Sequence, residues 1–338
     1  MRSIVACLAL LLSVTISGCG GGGGDSPPPA PSGNFTLTAS VAGVAVGGFS
    51  VANGGSGSLS VQSSDQIRLT STSAVNWTST LNGATLTPGT IDSTTWDVRI
   101  VSPLARTVTL TATSTVDGSK PATVTIAVAA QRYAATVQTL GRISTYAQTN
   151  VFNDNSQEGV SYTNTVVAIN ADASYSVARS VNGAVTSTVN NTATGARVSR
   201  NFVLNSGGTN PCTYTPPRAF FDYPLYVGKS YASTWNYQCA AGYRESGSLR
   251  GEVVGFESIT VPAGTFDALR INVTIDYTNS NDGNLTGGAT GAAAYRVASV
   301  CWWGVAAGRF LGCDETYTYT GIAPPNYLKT VTYRLSSP

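Results

Sequence analysis

Histidine is absent from all 338 residues. That one absence excludes a Ser-His-Asp or Cys-His nucleophile, a His-ligated zinc, a His-held haem iron and any imidazole acid-base. Lysine is nearly absent, occurring only at Lys120, Lys229 and Lys329, so a Ser-Lys dyad would need one of these buried beside a serine, and no local sequence suggests it. Charge is scarce as well. Charged residues are 11% of the chain, and 19 Lys+Arg against 17 Asp+Glu leave a formal net charge of +2, with no basic stripe for nucleic acid and no acidic shell for cations. Neither a Gly-x-Ser-x-Gly elbow nor a Cys-x-x-Cys pair occurs. What the chain does have is glycine, 36 residues, and an evenly spread 42% of hydrophobic residues, too apolar for disorder. The length suggests two domains, and the composition reads as soluble and all-β.

The N-terminus carries the most specific signal. Met1-Arg2 followed by an apolar stretch from Ile4 to Ile16 has the proportions of a signal peptide and is too short to span a bilayer. Ile16-Ser17-Gly18-Cys19 resembles the lipobox of bacterial lipoproteins. The resemblance implies removal of residues 1–18, acylation of Cys19 and, from Gly20 at the next position, delivery to the outer membrane of a Gram-negative bacterium. Residues 19–33 then form a tether, Gly-rich first and Pro-rich after, able to reach roughly 20–40 Å. The Gly20–Gly24 run is not a phosphate loop, since no Lys-Ser/Thr pair follows it.

Four further cysteines remain in an exported chain: Cys212, Cys239, Cys301 and Cys313. An even number implies disulfides, and of the three pairings the local one, Cys212 with Cys239 and Cys301 with Cys313, is expected because each brackets a hairpin or loop.

Residues 34–130 show short alternating runs separated by Gly, Asn and Ser, which predicts about seven strands and a two-sheet sandwich. The runs Val75-Asn76-Trp77-Thr78-Ser79 and Val108 to Ser114 with Ala122 to Ile126 resemble bacterial immunoglobulin-like domains, with Trp77 and Trp96 expected in the core. The resemblance implies a spacer or adhesive module.

Residues 131–338 continue as an antiparallel meander of about ten strands. That number must curl, predicting a strongly curved sheet or partly open barrel. Asn182-Gly183 suits a type I′ turn, and Asp282-Gly283 marks a loop tip. Tyr223 to Tyr231, Gly251 to Glu257 and Ile259 to Ile271, with the run Val261-Pro262-Ala263-Gly264-Thr265-Phe266 at its centre, resemble a family of uncharacterised exported bacterial β domains. That family's expected shape is similar to half-barrel lipid carriers. Trp302, Trp303, Phe310, Tyr317 and Tyr319 are the candidate ligand-binding set, lining a cleft for a lipid or glycan or else forming one face of the core.

The acids include Glu245, Glu257, Asp267, Asp276, Asp314 and Glu315, and none forms a pair whose spacing fixes a glycosidase geometry. Two oxygen-rich loops, 153–158 and 279–284, do not follow the EF-hand order and read as turns. The expected protein therefore uses no cofactor, metal or catalytic residue. It is a non-enzymatic binding or structural lipoprotein of the envelope, held to the membrane by its lipid, with a protein, glycan or lipid partner and no nucleic acid. A periplasmic carrier of an apolar ligand is the alternative, and a carboxylate-based hydrolase the more distant one.

Overall fold

The computed structural model describes residues 34–41, 49–80, 85–280, 293–320 and 326–338. The expected signal peptide, lipobox, acylated Cys19, tether and Asp282-Gly283 tip lie outside these residues. The described chain is all strand and turn.

Nine strands form the first unit, in two sheets. One sheet runs β2 (Phe49–Ala52), β1 (Thr36–Val41), β4 (Gln66–Ser71), β7 (Thr95–Val101), β6 (Thr85–Ile91); the other runs β3 (Ser56–Val61), β9 (Ala122–Val128), β8 (Arg106–Ser114), β5 (Val75–Thr80). All pairings are antiparallel except β3 with β9. Strict alternation puts Ile67 and Leu69 of one sheet against Val108, Leu110, Val124 and Ile126 of the other in a single buried cluster, and that burial is the main stabilising term. Trp96 is buried there, and Trp77 packs at the edge with its Nε1–H donating to the Asp92 carbonyl. Sequence periodicity misses β2 and β6. Both are short or interrupted by Gly and Pro.

The second unit is a closed barrel of twelve antiparallel strands: β10 (Ile143–Phe152), β11 (Gln157–Ile169), β12 (Tyr175–Val181), β13 (Ala184–Asn191), β14 (Arg197–Leu204), β15 (Gly208–Arg218), β16 (Ser230–Cys239), β17 (Arg244–Val261), β18 (Gly264–Ser280), β19 (Ala293–Gly304), β20 (Arg309–Tyr319) and β21 (Leu328–Ser337). It closes where β21 pairs with β10, Tyr333 opposite Gln148 and Val331 opposite Asn150. The expected strongly curved sheet or partly open barrel of about ten strands is borne out as a barrel, which has twelve strands and closes into a full ring. The two strands missed are β10 and β15. Inward positions of β10 are Ser144, Tyr146 and Gln148, so its alternation is polar on both faces, while β15 carries Pro211, Pro216 and Pro217, which argue locally against a strand.

Asn182 and Gly183 both take positive φ, 51° and 80°, as a type I′ turn requires. The disulfides join residues directly opposite on neighbouring strands, Cys212 to Cys239 and Cys301 to Cys313, all four buried. The long hairpin β17–β18 turns at Pro262-Ala263, with Val261 opposite Gly264. Its tip reaches across to β21, where the Ala263 amide donates to the Leu335 carbonyl (3.1 Å) and Val261, Ala268 and Leu335 bury together.

One part of the interior is packed solid. Residues 219–229 fold inward after β15 and carry Leu225, fully buried, onto Leu249, Val253, Leu269 and Ile271. Reciprocal backbone hydrogen bonds of 2.8 Å between Tyr133 and Leu225 pin this segment to the chain entering the barrel. On β16 and β17 large rings lie over glycines directly opposite, Trp235 over Gly247 and Tyr231 over Gly251. On β16, β17 and β18 the outer face is polar. Thr234, Asn236 and Gln238 on β16, Arg250 and Glu252 on β17 and Arg270 and Asn272 on β18 are exposed, whereas β11, β13 and β14 also expose Val167, Ile169, Val185, Val203 and Leu204.

Candidate functional site: an arginine-lined lumen

The rest of the barrel interior is a cavity of about 560 Å³. Its wall includes six arginines, Arg142, Arg179, Arg197, Arg200, Arg218 and Arg309, and one carboxylate, Glu315, in a chain whose formal net charge is only +2. Among the described residues none of these six forms an ion pair. The barrel's ion pairs, Arg270–Glu257, Arg296–Asp276, Arg334–Asp314 and Lys229–Asp222, all involve other cations.

Register explains how the arginines come to face inward. Arg179 shares its face of β12 with Tyr175 and Val177, which also line the cavity. Arg197 and Arg200 are three apart and would point to opposite faces of a regular strand. A register shift between Arg197 and Ser199, where β14 meets β15, turns both toward the lumen. Arg218 ends β15.

The six divide by what holds them. Arg142 is engaged by backbone, donating to the Ala307 and Gly308 carbonyls and to Gln138 Oε1; Arg309 donates to the Ile143 carbonyl (2.7 Å) and Ser144 Oγ (2.6 Å). These two tie the β19–β20 turn to the start of β10. The other four have few partners. Arg179 lies 3.7 Å over the Tyr162 ring with one long bond to Gln148 Oε1 (3.5 Å), and Arg200 donates to Ser187 Oγ (3.1 Å) and stacks on Phe202. Arg218 donates to the Tyr277 hydroxyl (2.9 Å), sits 4.5 Å over Trp235 and is favoured electrostatically by the Glu245 carboxylate, which forms no direct ion pair with it. The Nε–H groups of Arg200 and Arg218 are buried without an acceptor. Arg197 is exposed, and its side chain makes no hydrogen bond to the described residues. Burial pushes the Arg200 guanidinium down to about 10, still protonated at neutral pH.

Facing the arginines is a wall of tyrosines. Tyr277 and Tyr295, directly opposite on β18 and β19, stack at 4.7 Å, and Tyr295 is followed by Tyr317 at 6.3 Å and Tyr319 at 5.6 Å. Burial holds the Tyr162, Tyr295 and Tyr317 phenols above their ordinary range, so they act as neutral hydrogen-bond donors. Burial likewise pushes Glu315 and Glu245 up, against the Tyr317 and Tyr243 hydroxyls that donate to them at 2.9 and 3.0 Å.

Of the aromatic residues singled out from sequence, Trp303, Phe310 and Tyr317 reach the cavity wall. Trp303 and Phe310 do so as part of a ring cluster with Phe220 and Phe221, at centroid distances of 4.9 to 5.2 Å. Phe310 joins them because a register shift between Trp302 and Trp303 realigns β20. Trp302 faces outward, donating to Glu257 Oε1 (2.6 Å) with Arg334 over its ring. Tyr319 stacks on Tyr295 and Tyr327 and donates to the Leu328 carbonyl, beyond the cavity wall. The arginines were missed. An arginine on an alternating strand reads as a solvent-facing residue, and only its sharing a parity with Tyr175 hints otherwise.

No family model and no curated protein matches the chain. Among solved structures it is similar to a "putative lipoprotein" from Parabacteroides distasonis (14% identity, 61% of this chain and 99% of that one, TM-score 0.33). It is also similar to a "putative exported protein with YmcC-like fold" from Bacteroides fragilis (10% identity, 61% and 99%, TM-score 0.36) and to the "hypothetical lipoprotein YmcC" from Escherichia coli (10% identity, 59% and 88%, TM-score 0.30). Likeness at this level assigns no activity.

Proposed function

We propose that this chain is a non-enzymatic binding lipoprotein of the cell envelope, anchored to the outer membrane through acylated Cys19, with the barrel lumen as its recognition site. The tether of residues 19–33 and an immunoglobulin-like sandwich at 34–130 would hold the barrel, residues 131–338, away from the lipid surface. The observation that carries the binding role is the cavity itself: about 560 Å³ of open interior, with six arginines in its wall and no carboxylate paired to any of them among the described residues. Burying a guanidinium without a directly paired counter-charge costs on the order of several kcal/mol, and apolar side chains in place of the arginines would remove that cost. A ligand supplies the missing partners. A bare acyl chain would not, which weighs against a carrier of purely apolar cargo.

Two measurements test this. Metabolic labelling with a fatty acid is expected to mark the wild-type chain and not Cys19→Ser; equal labelling would refute the anchor. Native mass spectrometry of the exported Cys19→Ser chain, before and after mild organic or high-salt extraction, is expected to show a discrete bound mass that extraction removes. A chain that is bare in every preparation and binds no envelope fraction would refute the lumen as a binding site.

A further inference from the structure

The geometry points to the chemistry of the occupant: a ring-bearing small molecule with two or more acidic groups, phosphate or carboxylate, whose charges meet Arg179, Arg197, Arg200 and Arg218 while its ring lies against Tyr277 and Tyr295. This rests on the lumen being the binding site and adds what the lumen selects. The first support is the sign and type of the groups on offer. The four guanidiniums carry only donors, and the hydroxyls of Tyr162, Tyr175 and Tyr295 make no hydrogen bond to the described residues. An environment rich in donors and poor in anionic acceptors is satisfied by a ligand rich in anionic oxygens, to which guanidinium forks donate in a bidentate manner. The buried Nε–H groups of Arg200 and Arg218, without acceptors in the protein, are the most direct sign of a missing oxygen, since buried donors in folded proteins are nearly always paired.

The second support is spacing. Arg179 and Arg200 lie on strands two apart in the barrel, and neighbouring strands are about 4.8 Å apart, so the two arise roughly 10 Å from each other around the wall. Each guanidinium is held over a different ring, Arg179 over Tyr162, Arg200 over Phe202 and Arg218 over Trp235, so two or more acidic groups meet all three without drawing them off those rings. The third is the opposite wall. The Tyr277 and Tyr295 rings stack face to face, with Tyr317 near-parallel beyond Tyr295, so the column turns its ring edges to the lumen and a ligand ring packs against them edge to face. The volume, about 560 Å³, is that of a site for a compact organic ligand and not for a single inorganic ion.

Calorimetric titration of the exported Cys19→Ser chain with two matched pairs of probes tests this: myo-inositol hexakisphosphate against myo-inositol, and trigalacturonate against maltotriose. At least one acidic probe is expected to bind, more weakly at high salt, while its neutral counterpart does not, and which acidic probe binds separates phosphate from carboxylate. Arg200→Gln and Arg218→Gln should each weaken that binding about 10- to 100-fold, as loss of a charged hydrogen-bond donor does. Arg200→Lys should recover part of it. Arg296→Gln removes the same charge from the outer face and should leave the affinity unchanged, with matching thermal unfolding showing that all variants fold. Equal binding of a neutral probe, lost on Arg218→Gln, would keep the lumen as the site and overturn its selectivity for acids. Acidic-probe binding that survives both glutamine substitutions would overturn the assignment to these arginines. Failure of every probe would overturn the proposed chemistry, while a mass released by extraction would still stand for the lumen as a binding site.

Discussion

Replacing Gly247 with alanine should loosen the barrel wall at the point where it supports the arginine site. Trp235 lies directly opposite Gly247, and a Cβ there would fall inside 3.0 Å of three indole ring atoms, Nε1 at 2.7 Å among them. Carbon contacts are normally about 3.5–4.0 Å, and the two nearest ring carbons lie closer still than Nε1, so the ring must withdraw by roughly 1.5 Å. It has little room to do so: Arg218 sits 4.5 Å above the indole, Tyr277 is 6.0 Å away, and Trp235 is 2% exposed. Overpacking of this kind costs about 1–3 kcal/mol, and a clash with a ring confined on both sides belongs in the upper half. For a unit of this size that corresponds to a fall in Tm of roughly 4–12 °C. Thermal unfolding followed by near-ultraviolet circular dichroism reads both the loss and the altered indole environment. Gly159→Ala on β11, where a Cβ meets nothing within 4 Å, is the control and should stay within about 0.5 kcal/mol. If Gly247→Ala melts with Gly159→Ala, or if it costs as much in a Trp235→Leu background as in the wild type, the ring-over-glycine packing is not what holds this wall.

The two disulfides should contribute unequally. By loop-closure entropy Cys212–Cys239, separated by 27 residues, is worth about 3.5 kcal/mol and Cys301–Cys313, separated by 12, about 2.8 kcal/mol, so denaturant midpoints of the paired Cys→Ala variants should fall in that order; the opposite order would refute the ranking. In the sandwich the Arg68 guanidinium donates to both Asp97 oxygens at 2.7 and 2.8 Å and holds the Asp97 carboxyl below its usual range. Its stabilising effect is complete above the unfolded-state pKa of about 3.9 and is lost as pH falls through the depressed folded value. Asp97→Asn should therefore flatten this part of the acid-unfolding curve, and an unchanged curve would deny the pair any role. Glu315 has the opposite sign: burial raises its folded pKa, so ionising it costs stability as pH rises from the unfolded value through the folded one. Glu315→Gln should abolish that decline in pH-dependent unfolding, and a variant that keeps it would show that the group is solvated.

The absence of histidine, the all-β character and the presence of two successive β units follow from residue type and period-two alternation alone, because such patterns survive whatever the strands pair with. The Asn182-Gly183 turn was legible for the same reason, being set by local backbone preference. Which face of a strand becomes the interior is another matter. Ser144, Tyr146 and Gln148 on β10 and Arg179 on β12 look solvent-facing until β21 pairs with β10 and closes the ring, a contact between strands at opposite ends of the barrel sequence that no local pattern encodes. Trp302 and Trp303 are adjacent and aromatic, yet one faces outward beside Arg334 and the other inward beside Phe310. Side chains alternate along a strand and bulges reset the count, so Arg197 and Arg200 can both enter the lumen only through an irregularity in their pairing with β15. Local sequence determines the strands; barrel closure and strand register determine that the arginines, read one by one as surface residues, come to share a cavity.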